Sequence, residues 1–373
     1  MLLCIAVKEL AINKKSSLVN LSNSILKWFE QPTFHDSLEK VDELLKKSNK
    51  KKVSLILLDG FGTAIANYYK ENCPFIFSHK FMELETVNPP TTVAATTSLT
   101  TGLYPIETGY IGWTQYFKEY DRSINVFLSN DKFTGEKILP PVTLTTLKIE
   151  NIWDIINKDG KYKANQICSF AFRGQNEIES YNMFFDEADK IVKENNFSYV
   201  YSANPDHIMH KEGTMNDIVK ENIIYLDGKV KTLVENNKDT LFLLVADHGF
   251  QDVIEIPIYE HGDFLETLET KYFTIEGRFA CFSVKNKEKF VELANKYYGK
   301  DFYIVSKKEL LENNILGYGN MKPYAEETLF DYFLIAKGKY IFYDSIEPIG
   351  FKGAHAGLTK EERSVTLFAF NCD

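Results

Sequence analysis

Apolar residues near the start of the chain recur every three or four positions, which is the spacing of an amphipathic helix. The helix predicted over 17–30 presents these residues on one face: Leu18, Leu21, Ile25 and Trp28. A second helix is predicted over 38–46, with Asp36 or Ser37 as its N-cap. Residues 217–236 are predicted to form another helix further along the chain.

Continuous apolar runs of about six residues, each bounded by polar or turn residues, form a second pattern. They cover 53–58, 197–202, 241–246 and 365–370. Short runs of this kind are typical of strands that are buried on both faces of a parallel sheet. Because helical segments lie between them, the chain is predicted to be an α/β protein with a mostly parallel central sheet flanked by helices.

The pattern changes after about residue 256. Strands are predicted over 279–284 and 301–306, with a helix over 287–298 between them. A β-hairpin is predicted around Gly338, from strands at 332–337 and 339–343. We interpret residues 256–340 as a small α+β insertion, so that the α/β core comprises 1–255 and 341–373. Segment 112–140 shows little periodicity and is interpreted as a long connection near the functional site.

Composition excludes several classes of protein. The chain of 373 residues is 44% hydrophobic and 25% charged, which is ordinary for a soluble globular protein. Its net charge of −9 and the lack of a basic stripe argue against nucleic acid as a partner. No apolar stretch approaches the roughly 18–20 residues that span a bilayer, and no cleavable signal is expected. Five scattered cysteines, without a CxxC pair, favour reduced thiols and a cytoplasmic protein.

Polar residues that could form one site follow the predicted strands or begin predicted helices. They are one alcohol, three carboxylates and three imidazoles: Thr92, Asp59, Asp206, Asp247, His210, His248 and His355. Together they match the ligand set of a two-metal phosphoryl-transfer centre. The remaining histidines lack such settings and are left out of the site: His35, His79, His207 and His261.

The local sequence indicates where each candidate residue lies relative to the predicted strands and helices. Asp59 ends a buried strand, where ligands bind in open α/β sheets. Thr92 begins a helix predicted to end at Gly102, and a helix N-terminus favours an anion. On a helix, the spacing of Asp206 and His210 places both side chains on one face. Taken singly, each of these residues could also be a turn residue, a cap or a chance pair.

Three other candidates lie nearer the end of the chain. Asp247 and His248 directly follow the strand over 241–246, and polar groups at such a buried strand end need partners. A salt bridge is the alternative explanation for that pair. Glycines on both sides of His355 allow the backbone to aim its ring inward, although an exposed loop histidine is the simpler interpretation of that residue alone.

The order of these motifs resembles the alkaline phosphatase superfamily in its nucleotide pyrophosphatase/phosphodiesterase branch. The matching segments are Leu-Leu-Asp59-Gly-Phe, Pro-Thr-Thr92 through Thr-Gly-Leu-Tyr-Pro, Pro-Asp206-x-x-x-His210-x-x-Gly213, Ala-Asp247-His248-Gly249 and Gly-x-His355. The resemblance implies an alkaline phosphatase-like fold and two divalent ions, Zn²⁺ in preference to Mn²⁺. It assigns Asp59, Thr92, Asp247 and His248 to one ion and Asp206, His210 and His355 to the other. Thr92 would be the nucleophile, with a small phosphate ester or nucleotide as substrate.

One position departs from the family pattern. The best-known phosphodiesterases of this branch carry an asparagine three residues after the nucleophile, where this chain has Ala95. A backbone N–H or a side chain near Trp113 must then contact the phosphoryl oxygen.

Other activities stay open beside the phosphodiesterase interpretation: a phosphomonoesterase with Arg122 or Arg173 at the phosphoryl group, a phosphonate hydrolase, a phosphomutase, or a metal-binding module without turnover. A sulfatase is disfavoured, because no cysteine occupies the nucleophile position. The sequence does not define the oligomeric state.

Overall fold

The computed structural model describes residues 9–172 and 177–371. Its strands are β1 Lys52–Leu58, β2 Lys80–Glu85, β3 Thr114–Phe117, β4 Arg122–Asn125, β5 Asn130–Asp131, β6 Ala164–Cys168, β7 Phe197–Ser202, β8 Thr240–Val245, β9 Gln251–Asp252, β10 Ile254–Pro257, β11 Thr274–Glu276, β12 Phe279–Phe282, β13 Phe302–Ser306, β14 Tyr332–Ala336, β15 Tyr340–Tyr343, β16 Gly353–Ala354 and β17 Ser364–Asn371.

The α-helices are α1 Leu18–Trp28, α2 Glu39–Ser48, α3 Thr63–Tyr68, α4 Pro74–Ser78, α5 Thr92–Thr101, α6 Pro105–Thr108, α7 Ile152–Asn157, α8 Glu177–Glu194, α9 Asp206–Glu212, α10 Asp217–Asn236, α11 Gly262–Leu265, α12 Lys287–Tyr298, α13 Lys307–Glu312, α14 Pro323–Thr328 and α15 Lys360–Arg363. Short 3₁₀ turns cover Val142–Leu144, Ser169–Phe172 and Ile258–Glu260. In the described part of the chain, no helix is both long and apolar enough to cross a membrane.

The central sheet has the strand order β2-β17-β8-β1-β7-β6. Strands β8, β1, β7 and β6 are parallel, whereas β17 runs antiparallel to both β8 and β2. Every residue of β7 and β8 is buried, as expected for strands covered on both faces. The predicted α/β fold with a mostly parallel central sheet is therefore confirmed.

Helix α5 lies inside the core, with every residue after Thr92 buried. Helix α1 packs against it and satisfies polar groups at its C-terminal end. Asn23 donates its side-chain N–H to the carbonyl of Gly102 at 2.9 Å, and the Ser22 hydroxyl donates to the carbonyl of Leu99. Gly102 is left-handed, with φ of +74°, and ends the helix as predicted. These contacts fix the helix that begins at Thr92.

A second, antiparallel sheet has the order β13-β14-β12-β11-β3-β4-β5. Its first four strands come from the segment interpreted as an insertion, 256–340. Strands β12, β13 and β14 lie within the ranges predicted as strands, and the predicted helix of this segment is α12. The other three come from 114–131, within the segment predicted to be a long connection, so that prediction is wrong. Strands of two to four residues are too short to show a clear period-two pattern.

Two other local predictions are also wrong. The hairpin at Gly338 does not form, because β14 pairs with β12 and β13 while β15 runs parallel to β10. Arg278 donates hydrogen bonds to the carbonyls of Gly338 and Tyr340, which holds the intervening turn away from a hairpin. The N-cap of α2 is Leu38, since Asn20 and Ser24 bind the backbone of the preceding turn.

Candidate active site

The carboxyl ends of β1 and β8 place Asp59, Asp247 and His248 side by side. The N–H of Gly60 donates to Asp247 Oδ1 at 3.2 Å, and the N–H of His248 donates to the same oxygen at 3.0 Å. Gly249 must be a glycine, because a Cβ there would lie 1.8 Å from the carbonyl oxygen of Glu361. The turn after β8 is thus fixed by backbone packing.

Helix α9 begins beside the end of β1. The N–H of Asp206 donates to the carbonyl of Asp59 at 3.0 Å, which places the first residue of the helix at the same sheet edge. His210 lies one turn later on the same face, and its Nε2 is 3.5 Å from Asp206 Oδ2. The predicted helical spacing of this pair is confirmed.

His355 reaches the site from the turn between β16 and β17. Its Nδ1 lies 3.1 Å from the carbonyl of Pro90, and the N–H of Ala356 donates to that same carbonyl at 3.0 Å. The left-handed residue in this turn is Ala356, with φ of +85°, and neither flanking glycine, Gly353 or Gly357, has a positive φ. Pro90 thereby joins the His355 turn to the residues just before Thr92.

Thr92 is the first residue of α5, and its Oγ1 lies 3.2 Å from His248 Nε2. Thr91 is the N-cap residue, yet its hydroxyl does not cap the helix; it donates to Glu276 Oε1 at 2.6 Å instead. Among the described residues, no group accepts the N–H of Val93 or Ala94. The helix therefore presents unsatisfied N–H groups beside the Thr92 hydroxyl, which favours an anion.

The seven predicted side chains form two adjoining groups. In the first, His248 Nε2 lies 3.4 Å from Asp59 Oδ1 and 3.5 Å from Asp247 Oδ2. In the second, His355 Nε2 lies 3.6 Å from Asp206 Oδ2. The rings of His248 and His355 stack 3.8 Å apart, which joins the groups.

Exposure differs between the two groups. The side chains of Asp247 and His248 are fully buried, whereas that of His210 is 20% exposed. Because Asp206 and His355 are also partly exposed, solvent reaches the site from their side.

Backbone carbonyls fix the tautomer of all three histidines. His210 Nδ1 lies 3.0 Å from the carbonyl of Gly353, and His248 Nδ1 lies 3.1 Å from that of Gly249. A carbonyl can only accept, so each Nδ1, including that of His355, carries the proton. Each Nε2 faces the carboxylates, and in a neutral ring it carries the lone pair with which a histidine binds a metal ion.

The carboxylates carry uncompensated charge. Asp59 Oδ1, Asp206 Oδ2 and Asp247 Oδ2 are buried and have no hydrogen-bond partner within residues 9–172 and 177–371. Burial, followed by repulsion from Asp247, raises the pKa of both Asp59 and Asp206 well above the usual range. Burial also lowers the pKa of His210 to about 4 and that of His355 well below its usual value. Such a cluster is costly unless cations occupy it.

The donor set fits divalent metal ions. The carboxylate and imidazole atoms of Asp206, His210 and His355 all lie within 4.8 Å of one another, as do those of Asp59, Asp206 and His248. Neutral imidazoles with carboxylates are ligands that Zn²⁺ and Mn²⁺ accept. The same oxygen atoms that lack hydrogen-bond partners therefore face the imidazole lone pairs.

Two further residues at the site had no clear signal in the sequence. Tyr201 donates its hydroxyl to Asp59 Oδ2 at 2.5 Å and orients that carboxylate. It lies in an apolar run, where a tyrosine is expected to be an ordinary core residue. Glu276 comes from β11 in the second sheet, and burial raises its pKa to about 7.

The excluded histidines have other partners. His35 Nε2 lies 2.7 Å from Glu107, His79 Nδ1 lies 2.7 Å from the carbonyl of Phe75, and His261 stacks on Tyr297. The Arg122 guanidinium pairs at the surface with Glu136. Arg173 lies outside the described residues.

Comparison with solved structures shows which proteins share this fold. Phosphonoacetate hydrolase from Sinorhizobium meliloti, in complex with phosphonoformate, aligns at a TM-score of 0.65 and 14% identity over 85% of this chain and 89% of that one. Human ectonucleotide pyrophosphatase/phosphodiesterase 5 aligns at 0.60 and 16% identity over 85% and 87%. An inactive threonine-to-alanine variant of the murine protein, in complex with AMP, aligns at 0.60 and 15% over the same shares. The fold is that of the alkaline phosphatase-like hydrolases.

The family follows from the sequence. The profile of the type I phosphodiesterase / nucleotide pyrophosphatase family matches residues 53–329. The chain therefore belongs to that family and is a phosphoric ester hydrolase. A search of curated proteins gave no match.

Proposed function

We propose that the protein is a phosphodiesterase or nucleotide pyrophosphatase with Thr92 as nucleophile and two divalent metal ions. The observation that carries the proposal is the set of three buried carboxylate oxygens without partners, which face three imidazole lone pairs beside the Thr92 hydroxyl. Asp59, Asp247, His248 and Thr92 would hold one ion, and Asp206, His210 and His355 the other. Zn²⁺ is the preferred ion, with Mn²⁺ as the alternative.

The protein residues have distinct roles in this mechanism. Thr92 Oγ1 attacks phosphorus, the bond to the leaving group breaks, and a phosphothreonine forms. Water then cleaves the phosphothreonine and restores the hydroxyl. The N–H groups of Val93 and Ala94 lie where they can bind a phosphoryl oxygen. When bound, the cations supply the positive charge that activates the hydroxyl and water and stabilises the leaving oxygen.

The structural neighbours support this assignment and define the main alternative. The murine protein whose threonine variant is inactive binds AMP, which agrees with a threonine nucleophile and a nucleotide substrate. The phosphonoacetate hydrolase binds phosphonoformate, so a phosphonate hydrolase on the same metal site is the second candidate. A phosphomonoesterase, a phosphomutase and a metal-binding module without turnover are less favoured. The cytoplasmic location stays a prediction.

Hydrolysis of a matched substrate pair tests the proposed activity. We expect the zinc-loaded protein to hydrolyse bis-p-nitrophenyl phosphate faster than p-nitrophenyl phosphate, and a chelator to abolish both activities. Preference for the monoester would support a phosphomonoesterase. Bound metal with no hydrolysis of either compound would contradict the proposal and leave a binding module.

A further inference from the structure

Glu276 faces the start of α5 from the second sheet. Its Oε1 accepts two hydrogen bonds, from the Thr91 hydroxyl at 2.6 Å and from the N–H of Trp113 at 2.8 Å. Thr91 directly precedes Thr92, so the carboxyl group lies next to the proposed nucleophile. Burial and repulsion from Asp247 raise the pKa of Asp206, and the negative charge of Glu276 adds a smaller contribution in the same direction.

The backbone that carries Glu276 is strained. The preceding residue, Ile275, has φ of +76°, which is unfavourable for a β-branched side chain. Gly112 allows the close approach of this strand, because a Cβ at that position would lie 2.6 Å from Ile275 Cγ2. Backbone strain of this kind persists where the surrounding structure holds a side chain in a particular place. Here the strained residue directly precedes the carboxyl group that accepts from Thr91 and Trp113.

The other carboxyl oxygen remains available to a substrate. Glu276 Oε2 accepts no hydrogen bond from the described residues, and the side chain is only partly buried. On α5, Ala95 lies three residues after Thr92 and carries only a methyl group, so it offers a substrate no polar side chain. We propose that Glu276 is a specificity-determining residue, which selects substrates whose reacting phosphoryl group carries one negative charge and disfavours those that carry two.

The expected selectivity follows from charge. This inference rests on the proposed function, because it assumes that phosphorus is bound next to Thr92. A phosphodiester or phosphonate monoester has one charge on its non-bridging oxygens, whereas a phosphate monoester has two above neutral pH. Above pH 7 the Glu276 carboxyl group, whose pKa burial raises to about 7, is mainly ionised. A second charge placed near this carboxylate is repelled, and little water intervenes to screen that repulsion at a partly buried site.

The substitution Glu276→Gln tests the inference with substrates that share a leaving group. Glutamine keeps an oxygen that can accept from Thr91 and Trp113 but removes the charge. The probes are p-nitrophenyl methylphosphonate, with one charge, and p-nitrophenyl phosphate, with two. We expect the ratio of kcat/KM for the dianion to that for the monoanion to rise roughly 10- to 100-fold. The inhibition constant of inorganic phosphate should fall in Glu276→Gln as well.

Thr91→Val is the matched control, because it removes one contact to Glu276 and keeps the charge. We expect it to change both activities together and to leave the ratio within about threefold of wild type. An unchanged ratio in Glu276→Gln would overturn the proposed role of the charge. The same change of the ratio in Glu276→Gln and Thr91→Val would also overturn it. If Glu276→Gln does not fold, the wild-type ratio decides, and preference for the dianion overturns the inference. Hydrolysis of neither probe by the wild-type protein would contradict the proposed function instead.

Discussion

Thr92→Ala is expected to lower kcat by about 10⁵-fold, because it removes the oxygen that attacks phosphorus. The side chain lies at the first position of α5, where alanine is compatible with the helix, so the fold should not change. Among the other proposed ligands, which all lie in the described part of the chain, His248 alone has a hydrogen bond to the Thr92 hydroxyl. Metal binding should therefore persist with at most a modest loss of affinity. Calorimetry would measure the metal affinity, and single-turnover kinetics would measure the loss of turnover.

Thr100→Ala provides the control for this substitution. Thr100 lies on the same helix, and its hydroxyl donates to the carbonyl of Thr97 at 3.3 Å, away from the site. We expect turnover in this variant to stay within about twofold of wild type, apart from a stability loss of about 1 kcal/mol. Thr92→Ala protein that kept wild-type turnover would refute the nucleophile assignment.

Arg278→Met is expected to destabilise the protein by about 3–5 kcal/mol, since it leaves the Glu362 carboxylate buried without its cation. The pair is fully buried, and Arg278 binds both carboxylate oxygens, at 2.6 and 2.8 Å. Glu362 in turn accepts the N–H of Gly357 at 2.7 Å, and its carbonyl accepts the N–H of Gly249. Breaking the pair should therefore also disturb the turns that carry His355 and His248.

Arg122→Met is the control for the buried ion pair. Arg122 pairs with Glu136 at the surface, where the two side chains are 39% and 62% exposed, so its loss should cost no more than about 1 kcal/mol. Urea unfolding of both variants measures the difference. A cost for Arg278→Met as small as that for Arg122→Met would show that the buried pair does not hold the site turns in place.

Four strands of the central sheet, β1, β7, β8 and β17, could be predicted from sequence because they are continuous apolar runs. The two edge strands, β2 and β6, were not predicted, because exposed polar residues interrupt their apolar pattern. Strand β7 and helices α10 and α12 have the predicted bounds. The candidate site could be predicted for the same reason: polar residues directly after buried strands collect at one sheet edge. Asp59 and His248 illustrate this, since their side chains meet although they are far apart in the chain.

The second sheet could not be predicted to the same extent. Its pairing joins β3 to β11 through a single pair of residues, Thr114 and Ile275, which are far apart in sequence. The strained backbone of Ile275 has no sequence signal, because isoleucine normally favours extended conformations. Glu276 was therefore missed, although it lies beside the nucleophile. Tyr201 was missed because its role depends on the hydrogen bond to Asp59, which forms only when β1 and β7 pair in the sheet.

An anomalous difference map from crystals grown with zinc would test the central claim most directly. We predict two strong peaks in each molecule, one among Asp59, Asp247 and His248 beside Thr92, and the other among Asp206, His210 and His355. A map with no peak at either place, while these side chains keep the arrangement described above, would contradict the two-metal site.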